Sequence, residues 1–230
     1  MKRFYRNVAV GETGGGFQIL LDGRPMKTKG GAKLLTPSQA LADAIAKEWD
    51  EAGETIDPHA MPLTRLAFAA LDSVRAHRDQ IVETVAAFGG TDLLSYRADT
   101  PQELVVRQMH AWNPLLDWLV GRYGVRLRVT SGISHIPQAE ETFVAFRNAV
   151  AAHDDFALAA LHTATALTGS LVLALALSEG RLSAAEAFAA ATIDETYQAE
   201  KWRQDKEAQE RLNRHASELA AAERFLRLLA

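Results

Sequence analysis

The sequence feature that most constrains the fold is the stretch from Phe156 to Ser178, which contains no Asp, Glu, Lys or Arg. About 20 apolar residues can cross a bilayer, so a membrane span is one interpretation. His162, Thr165 and Thr168 make its first half a poor lipid segment, and much of the remainder is alanine. We therefore predict a helix over 155–178 that is buried by other helices, with no stable membrane insertion.

The first 36 residues have the pattern of a β-meander. An alternating run from Phe4 to Val10 leads into the loop GETGGG, and a second run follows from Phe17 to Leu21. The next two residues are Asp22 and Gly23, which both tolerate a positive φ and favour a tight hairpin turn. Pro25 lacks an amide donor, which suits an edge position.

Helical spacing begins after this meander. Thr36 is a candidate N-cap, Leu41, Ile45 and Trp49 recur about every four residues, and Gly53 is expected to end the helix. We assign Trp49 to the core, because an aromatic side chain at this spacing is most often buried. The proline-containing segment 55–62 is expected to cross between layers, and we place a domain boundary at residues 60/61.

The remainder is predicted to be mainly helical, with one strand from Val125 to Val129, where apolar residues alternate with Arg126, Arg128 and Thr130. The fold class is therefore α+β, with a small N-terminal β-meander domain (1–60) followed by a larger, mostly helical orthogonal-bundle domain (61–230). The predicted helices of the second domain lie near 77–88, 101–122, 138–152, 155–178, 183–202 and from there to the C-terminus.

Composition excludes several classes of function. The absence of cysteine excludes disulfides, thiolate zinc sites and thiol nucleophiles. The first 36 residues contain seven Lys or Arg and only two acidic residues. The net charge of the whole chain is −4, so the remaining residues are acidic overall. An acidic body argues against nucleic-acid binding. No secretory signal is visible, which makes the cytoplasm the simplest location.

Motifs for catalysis or metal binding are weak. The run from Gly14 to Gly16 is followed by strand-like residues instead of a helix, which argues against a phosphate loop. The histidines show no HExxH arrangement, and no GxSxG motif occurs. Distant Ser, His and acidic side chains can still meet in space, so a small-molecule hydrolase that uses a cleft between the two domains stays an alternative.

The adjacent carboxylates Asp194 and Glu195 allow three interpretations. Neighbours on a helix diverge by about 100°, so the two groups are poorly placed to act together on one substrate atom. They could form an ordinary solvated helix face. They could also form a recognition site, in which an exposed carboxylate meets an Arg or Lys of a protein partner.

Several stretches in order along the chain resemble the F1-ATPase (ATP synthase) assembly chaperone family that binds the alpha subunit, of the mitochondrial and alphaproteobacterial type. They are LDGRPMKT (21–28), LADAIAKEWD (41–50), IDPHAMPLTRLA (56–67), TDLLSYRA (91–98), AWNPLLDW (111–118), ALTGSLVLALAL (166–177) and IDETYQAEKW (193–202). The last motif implies partner-binding residues: Glu195 as the required acidic group, Asp194 beside it, then Tyr197, Gln198 and Trp202. Relatives often have glycine where Arg203 stands.

The resemblance also implies a function. A member of this family would hold the unassembled alpha subunit and prevent its aggregation until a beta subunit replaces the chaperone, without ATP hydrolysis. We accordingly expect no enzyme activity, no catalytic residue, no cofactor, no metal and no nucleic-acid partner. We expect a monomer in the bacterial cytoplasm, with eukaryotic relatives in the mitochondrial matrix. A scaffold without client specificity is a further alternative, favoured if no contiguous apolar patch is exposed.

Overall fold

A computed structural model describes residues 1–132, 134–202 and 206–230 of the chain. These residues form two compact units. The N-terminal unit contains Met1–Arg78, Asp154–Ala160 and Arg224–Ala230, and the helical unit contains Asp79–His153 and Leu161–Glu223. The predicted boundary at 60/61 falls within the first unit, and a division into domains at that point stays a prediction.

A small antiparallel sheet opens the N-terminal unit. Strand β2 pairs with β1 along its whole length, from Val8↔Leu21 to Thr13↔Gly16. Its other edge is shared by β3 and β4. The strands are β1 (Val8–Thr13), β2 (Gly16–Leu21), β3 (Arg24–Pro25) and β4 (Leu35–Thr36). Asp22 and Gly23 have φ angles of 48° and 77°, which is the backbone expected for the predicted tight turn.

The first helix begins two residues later than predicted. Thr36 is not its N-cap, because Thr36 pairs with Phe17 in the sheet and the following Pro37 disfavours a helical backbone at residue 36. Ser38 is the cap: its hydroxyl accepts a hydrogen bond from the Leu41 amide at 3.2 Å. Helix α1 spans Gln39–Asp50 and therefore ends before Gly53.

The core of the N-terminal unit forms between α1 and α2 (Pro62–Ala69), which continues as a π-helical turn, Ala70–Val74. Trp49 is buried, as predicted, and its indole N–H donates to the Thr64 hydroxyl at 3.1 Å. The two later segments of this unit contribute Phe156 and Phe225, whose rings stack with centroids 6.2 Å apart. An aromatic pair of this kind adds about 1 kcal/mol to area burial.

The helical unit surrounds a short apolar helix, α7, in which every residue from Leu171 to Leu177 is buried. The unit contains most of α3, all of α4, α5, α7, α8 and α9, and parts of α6 and α10. Their bounds are α3 (Arg78–Ala87), α4 (Gln102–Tyr123), α5 (Glu140–Ala151), α6 (Asp155–Thr168), α7 (Leu171–Ser178), α8 (Ala184–Ala191), α9 (Ile193–Lys201) and α10 (Lys206–Leu229). Strands and a small sheet followed by mostly helical structure confirm the predicted α+β class.

The single helix predicted over 155–178 is wrong. Gly169 ends α6 in a left-handed conformation with φ of 65°, and the Ser170 hydroxyl caps α7 by accepting from the Leu173 amide at 3.1 Å. Among the described residues, no helix combines the length and the hydrophobicity that a membrane span requires.

Two further predictions are corrected. The helix over 183–202 is interrupted at Thr192, which separates α8 from α9. Residues 125–129 form no strand, and the next residues, Thr130–Ser131, form β6, which pairs in parallel with β5 (Tyr96–Arg97). The side-chain amide of Gln138 takes the place of a partner strand: it accepts from the Arg128 N–H at 2.8 Å and donates to the Arg128 carbonyl at 3.0 Å.

A buried carboxylate, Asp92, supports the start of α7. It accepts hydrogen bonds from the Ser170 hydroxyl at 2.8 Å, from the Val172 amide at 3.1 Å and from the Leu94 amide at 3.0 Å. Burial raises the pKa of Asp92 to about 6, although these hydrogen bonds act in the opposite direction. The folded protein therefore holds a proton that the unfolded chain releases.

This shift predicts how Asp92 contributes to stability as pH changes. Between pH 3.8 and about pH 6, Asp92 keeps its proton in the folded protein and loses it in the unfolded chain. The contribution of Asp92 to the free energy of unfolding therefore falls as pH rises through this range and levels off above pH 6. The loss is about 1–3 kcal/mol. Urea denaturation from pH 4 to pH 7 of the wild type and of Asp92→Asn, which cannot titrate at this position, measures it.

We expect the variant to be less stable, because its amide nitrogen faces N–H donors, and to lack this fall. Other titrating groups are common to both proteins, so the difference between the two pH profiles isolates Asp92. Parallel profiles would contradict the assignment.

Candidate functional site

The five predicted partner-binding residues lie on α9 or directly after it. Asp194 and Glu195 occupy the first turn, where the positive end of the helix dipole favours carboxylates, and Lys201 occupies the last turn. The helix ends at Trp202, whose extended backbone donates its N–H to the Gln198 carbonyl at 2.9 Å. Arg203 lies outside the described residues.

The structure divides these five residues between two faces of α9. Tyr197 is buried and the exposed Asp194 bonds to a side chain of α4, whereas the exposed side chains of Glu195, Gln198 and Trp202 have no hydrogen bond or ion pair within the described residues. The division follows from helix geometry, because residues three, four and seven apart share a face and adjacent residues do not. The two adjacent carboxylates therefore have different roles.

The inward face holds α9 against α4 through hydrogen bonds and ion pairs. Gln108 donates its side-chain N–H to Asp194 Oδ1 at 2.7 Å. Tyr197 is buried, with its hydroxyl 3.5 Å from Glu103 Oε2. The cationic groups of Arg107 and Lys201 each lie 5.2 Å from the centre of the tyrosine ring, close enough for cation–π attraction.

A cluster of four charges borders the tyrosine. Arg107 pairs with Glu103 and with Glu200, both at 2.8 Å, and Lys201 pairs with Glu103 at 3.2 Å. The hydrogen bonds from Lys201 and Arg107 hold the pKa of Glu103 below its usual range. These groups are exposed to water, so each pair contributes little stability alone, but together they fix the side chains around α9.

Gln108 is the residue that fixes the position of Asp194. It is buried in α4, and its Oε1 accepts from the Ala98 amide at 2.8 Å, which orients its N–H groups toward Asp194. Trp112, one turn further along α4, is buried and donates to the Ala190 carbonyl just before α9 at 2.8 Å. Arg97 stacks over this indole at 4.9 Å.

Sequence reasoning missed Gln108, Glu103 and Arg107. Gln108 is a single polar residue on the apolar side of a predicted helix, and Glu103 and Arg107 form an i,i+4 pair on that helix. Both patterns can be seen in the sequence, but only the fold shows that these three side chains of α4 contact α9.

The outward face presents three side chains without partners. The side chains of Glu195, Gln198 and Trp202 have no hydrogen bond or ion pair with the part of the chain that the structure describes. Trp202 is 74% exposed, and tryptophan is among the residues that most often dominate the energy of protein contacts. An exposed carboxylate and an exposed amide about one turn apart on α9, with an exposed indole directly after the helix, can recognise a protein surface and do not form the converging set of groups that catalysis uses.

Elsewhere in the helical unit, one serine and histidine meet. His153 Nε2 lies 3.2 Å from Ser178 Oγ, but the serine hydroxyl donates to the Leu175 carbonyl at 2.9 Å, and the other ring nitrogen lies 3.0 Å from the Ala149 carbonyl. A serine that bonds to the carbonyl three residues before it in its own helix is typical of a structural serine, which does not favour a nucleophile and base pair. No group of three or more His, Asp or Glu side chains among the described residues is arranged to hold a metal.

Several known proteins are similar to this chain. A sequence profile described as ATP12 chaperone protein matches residues 2–120. The chain belongs to the ATP12 chaperone family. This confirms the resemblance to ATP synthase assembly chaperones found in the sequence. The profile ends within α4, so it does not itself cover α9.

Full-length relatives do cover α9. The crystal structure of Atp12 from Paracoccus denitrificans has a TM-score of 0.95 and 42% sequence identity, and the match covers 100% of this chain and 98% of that chain. A mutant of Paracoccus denitrificans Atp12p gives the same values. The mitochondrial protein atp12 of Schizosaccharomyces pombe is 29% identical over 214 residues, which cover 87% of this chain and 73% of the relative.

The contrast between the two carboxylates yields a matched prediction. Asp194→Ala removes the hydrogen bond from Gln108 and is expected to lower the free energy of unfolding by about 1–2 kcal/mol. Glu195→Ala, in the same helical turn, is expected to change it by less than about 0.5 kcal/mol. Urea denaturation of both variants compares them, and equal losses would show that Asp194 has no positioning role.

Proposed function

We propose that this chain is an assembly chaperone that binds the unassembled alpha subunit of the F1 sector of ATP synthase and prevents its aggregation until the beta subunit replaces it. Membership of the ATP12 chaperone family supports the assembly role. The observation that supports a specific contact is the outward face of α9, where Glu195, Gln198 and Trp202 have no partners within the described residues. In this proposal the protein acts as a monomer in the bacterial cytoplasm and hydrolyses no ATP.

The fixed inward face makes the outward face an efficient binding surface. Because Asp194 and Tyr197 hold α9 against α4, little conformational entropy is lost by this helix when a client binds. The Glu195 side chain has no hydrogen-bond or ion-pair partner among residues 1–132, 134–202 and 206–230, so a client Arg or Lys can pair with it without breaking a contact seen there. Such a charge fixes orientation and speeds association more than it adds affinity.

Trp202 would supply the apolar part of the contact. The large exposed indole can bury apolar area against a client, and Val106, Met109, Val129 and Val144 of the helical unit are also exposed. In this proposal the Trp202 indole is the apolar anchor of the contact, with Glu195 as the charged one.

Release by exchange needs no nucleotide. A chaperone that covers the alpha surface destined for beta is displaced when beta binds that surface more favourably, by mass action alone. The Gly14–Gly16 run is consistent with this mechanism, since Gly14 and Gly15 form the turn between β1 and β2 and Gly16 begins β2. Phosphate binding by a glycine loop requires a helix N-terminus at that position.

Co-purification of the chain with separately expressed alpha and beta subunits tests the proposal. We expect the wild type to capture alpha and not beta. Glu195→Gln is expected to weaken capture, and Glu195→Lys to weaken it further, by about tenfold or more, because a repulsive charge replaces an attractive one. Glu140→Lys is the matched control: Glu140 is exposed in the first turn of α5, and the substitution changes net charge equally.

Absence of alpha from the wild-type eluate would overturn the client assignment. Equal loss of capture in Glu195→Lys and Glu140→Lys would leave the client but remove the specific contact at α9.

A further inference from the structure

A large groove lies within the N-terminal unit. It has a volume of about 1180 Å³, and its lining combines the N-terminal segment, the β2–β3 turn with residues 24–29, and residues from α1, α2 and the segment before α2. Tyr5, Met26, Trp49 and Met61 form a buried apolar floor. Phe4, which is 64% exposed, adds an aromatic wall.

The groove is rich in methionine. Three of the four methionines in the chain line it: Met1, Met26 and Met61. Methionine side chains are flexible and polarizable, and they are frequent at surfaces that accept varied apolar side chains. The floor is therefore suited to ligands whose apolar groups differ in shape.

The rim of the groove has more basic than acidic side chains. Lys27 and Lys29 are exposed, and neither has a hydrogen-bond or ion-pair partner within residues 1–132, 134–202 and 206–230. Arg24 and Arg65 add two more cations to the lining. An anionic ligand would find these lysines available.

Both carboxylates in the lining are already committed to the fold. Asp22 accepts from the Asn7 and Arg6 amides at 2.9 and 3.1 Å, and these bonds lower its pKa. Asp72 accepts from the Thr28 hydroxyl at 2.5 Å and from the Gly30 amide at 3.0 Å. The acidic groups therefore shape the groove, whereas the lysines stay free.

We propose that this groove binds an extended peptide segment in which acidic residues alternate with large apolar ones. Its volume exceeds the roughly 300–1,000 Å³ that is usual for small-molecule pockets. Lys27 and Lys29 flank Thr28 where the chain enters a turn, so the groove has two cations close together in the chain that can pair with acidic side chains of a peptide. Apolar side chains of the peptide would enter the methionine-lined floor.

Fluorescence anisotropy with the full chain and labelled synthetic peptides tests this inference. One peptide of about ten residues alternates Glu with Leu or Phe, and its matched partner has Lys in place of every Glu. We expect the acidic peptide to bind at least about tenfold more tightly than the basic one, with affinity that falls as salt is added. Decanoate, a simple apolar anion, serves as a competing small ligand.

Charge reversal at the rim provides the decisive variant. Lys27→Glu/Lys29→Glu is expected to weaken binding of the acidic peptide about tenfold and to remove the preference for the acidic over the basic peptide. Lys47→Glu/Lys206→Glu makes the same change in net charge at two exposed lysines that do not line the groove, and it is expected to bind as the wild type does. Phe4→Ser is expected to weaken binding of both peptides, since it removes an apolar side chain that lines the groove.

Equal binding of the two peptides, or an unchanged preference in the rim variant, would overturn the inference. Binding of decanoate without binding of the acidic peptide would also overturn it and identify a site for a small amphiphile. The assay contains no ATP synthase subunit and concerns the N-terminal unit, so its failure is distinguishable from failure of the contact proposed at α9.

Discussion

The helical unit depends on satisfying the amide groups at the start of a helix that water does not reach. Every residue of α7 from Leu171 to Leu177 is buried, so the first N–H groups of that helix need partners within the protein. Ser170 accepts from Leu173, and Asp92 accepts from Val172 and from the Ser170 hydroxyl. Without Asp92, burial of this apolar helix would leave polar groups unsatisfied at a cost of about 1–3 kcal/mol each.

The same constraint positions the candidate site. Because Asp92 is tied to α7, the segment that follows it is held in place, with the Leu93 amide bonded to the Gly169 carbonyl at 3.0 Å. That segment leads to Arg97 over the Trp112 ring and to Ala98, which orients Gln108. A continuous set of hydrogen bonds and ring contacts therefore runs from the core of the unit to Asp194, and α9 presents Glu195 from a fixed support.

Local patterns predicted those parts of the fold that depend on neighbouring residues. The Asp22-Gly23 turn needs only two positive φ angles, and the burial of Trp49 follows from its spacing on α1. The break at Gly169 was missed because hydrophobic residues continue on both sides of it, so periodicity alone shows one helix. The strand at 125–129 was wrong because the partner of Arg128 is the side chain of Gln138, which no local pattern identifies.

The candidate site was predicted only as a set of residues. Helical spacing alone separates Glu195 from Asp194, but it does not say which of the two faces inward, because that depends on where α4 lies. The position of Gln108 decides which carboxylate faces inward. The side-chain oxygen of this buried amide already accepts from the Ala98 N–H, and its side-chain N–H groups need an acceptor, which Asp194 supplies. A buried polar residue on one helix thereby determines which acidic residue of another helix remains available for a partner.

The proposed surfaces of the two units differ in the chemistry that they select. The positive charge of the first 36 residues is present at the groove as Lys27 and Lys29, while the acidic remainder contributes Glu195 on α9, and none of these three side chains has a partner in the part of the chain that the structure describes. A ligand with acidic groups matches the first surface and is repelled by the second, and a basic client patch behaves in the opposite way. Opposite charge preferences in one chain prevent either ligand from competing well for the other surface, so the two surfaces can act independently.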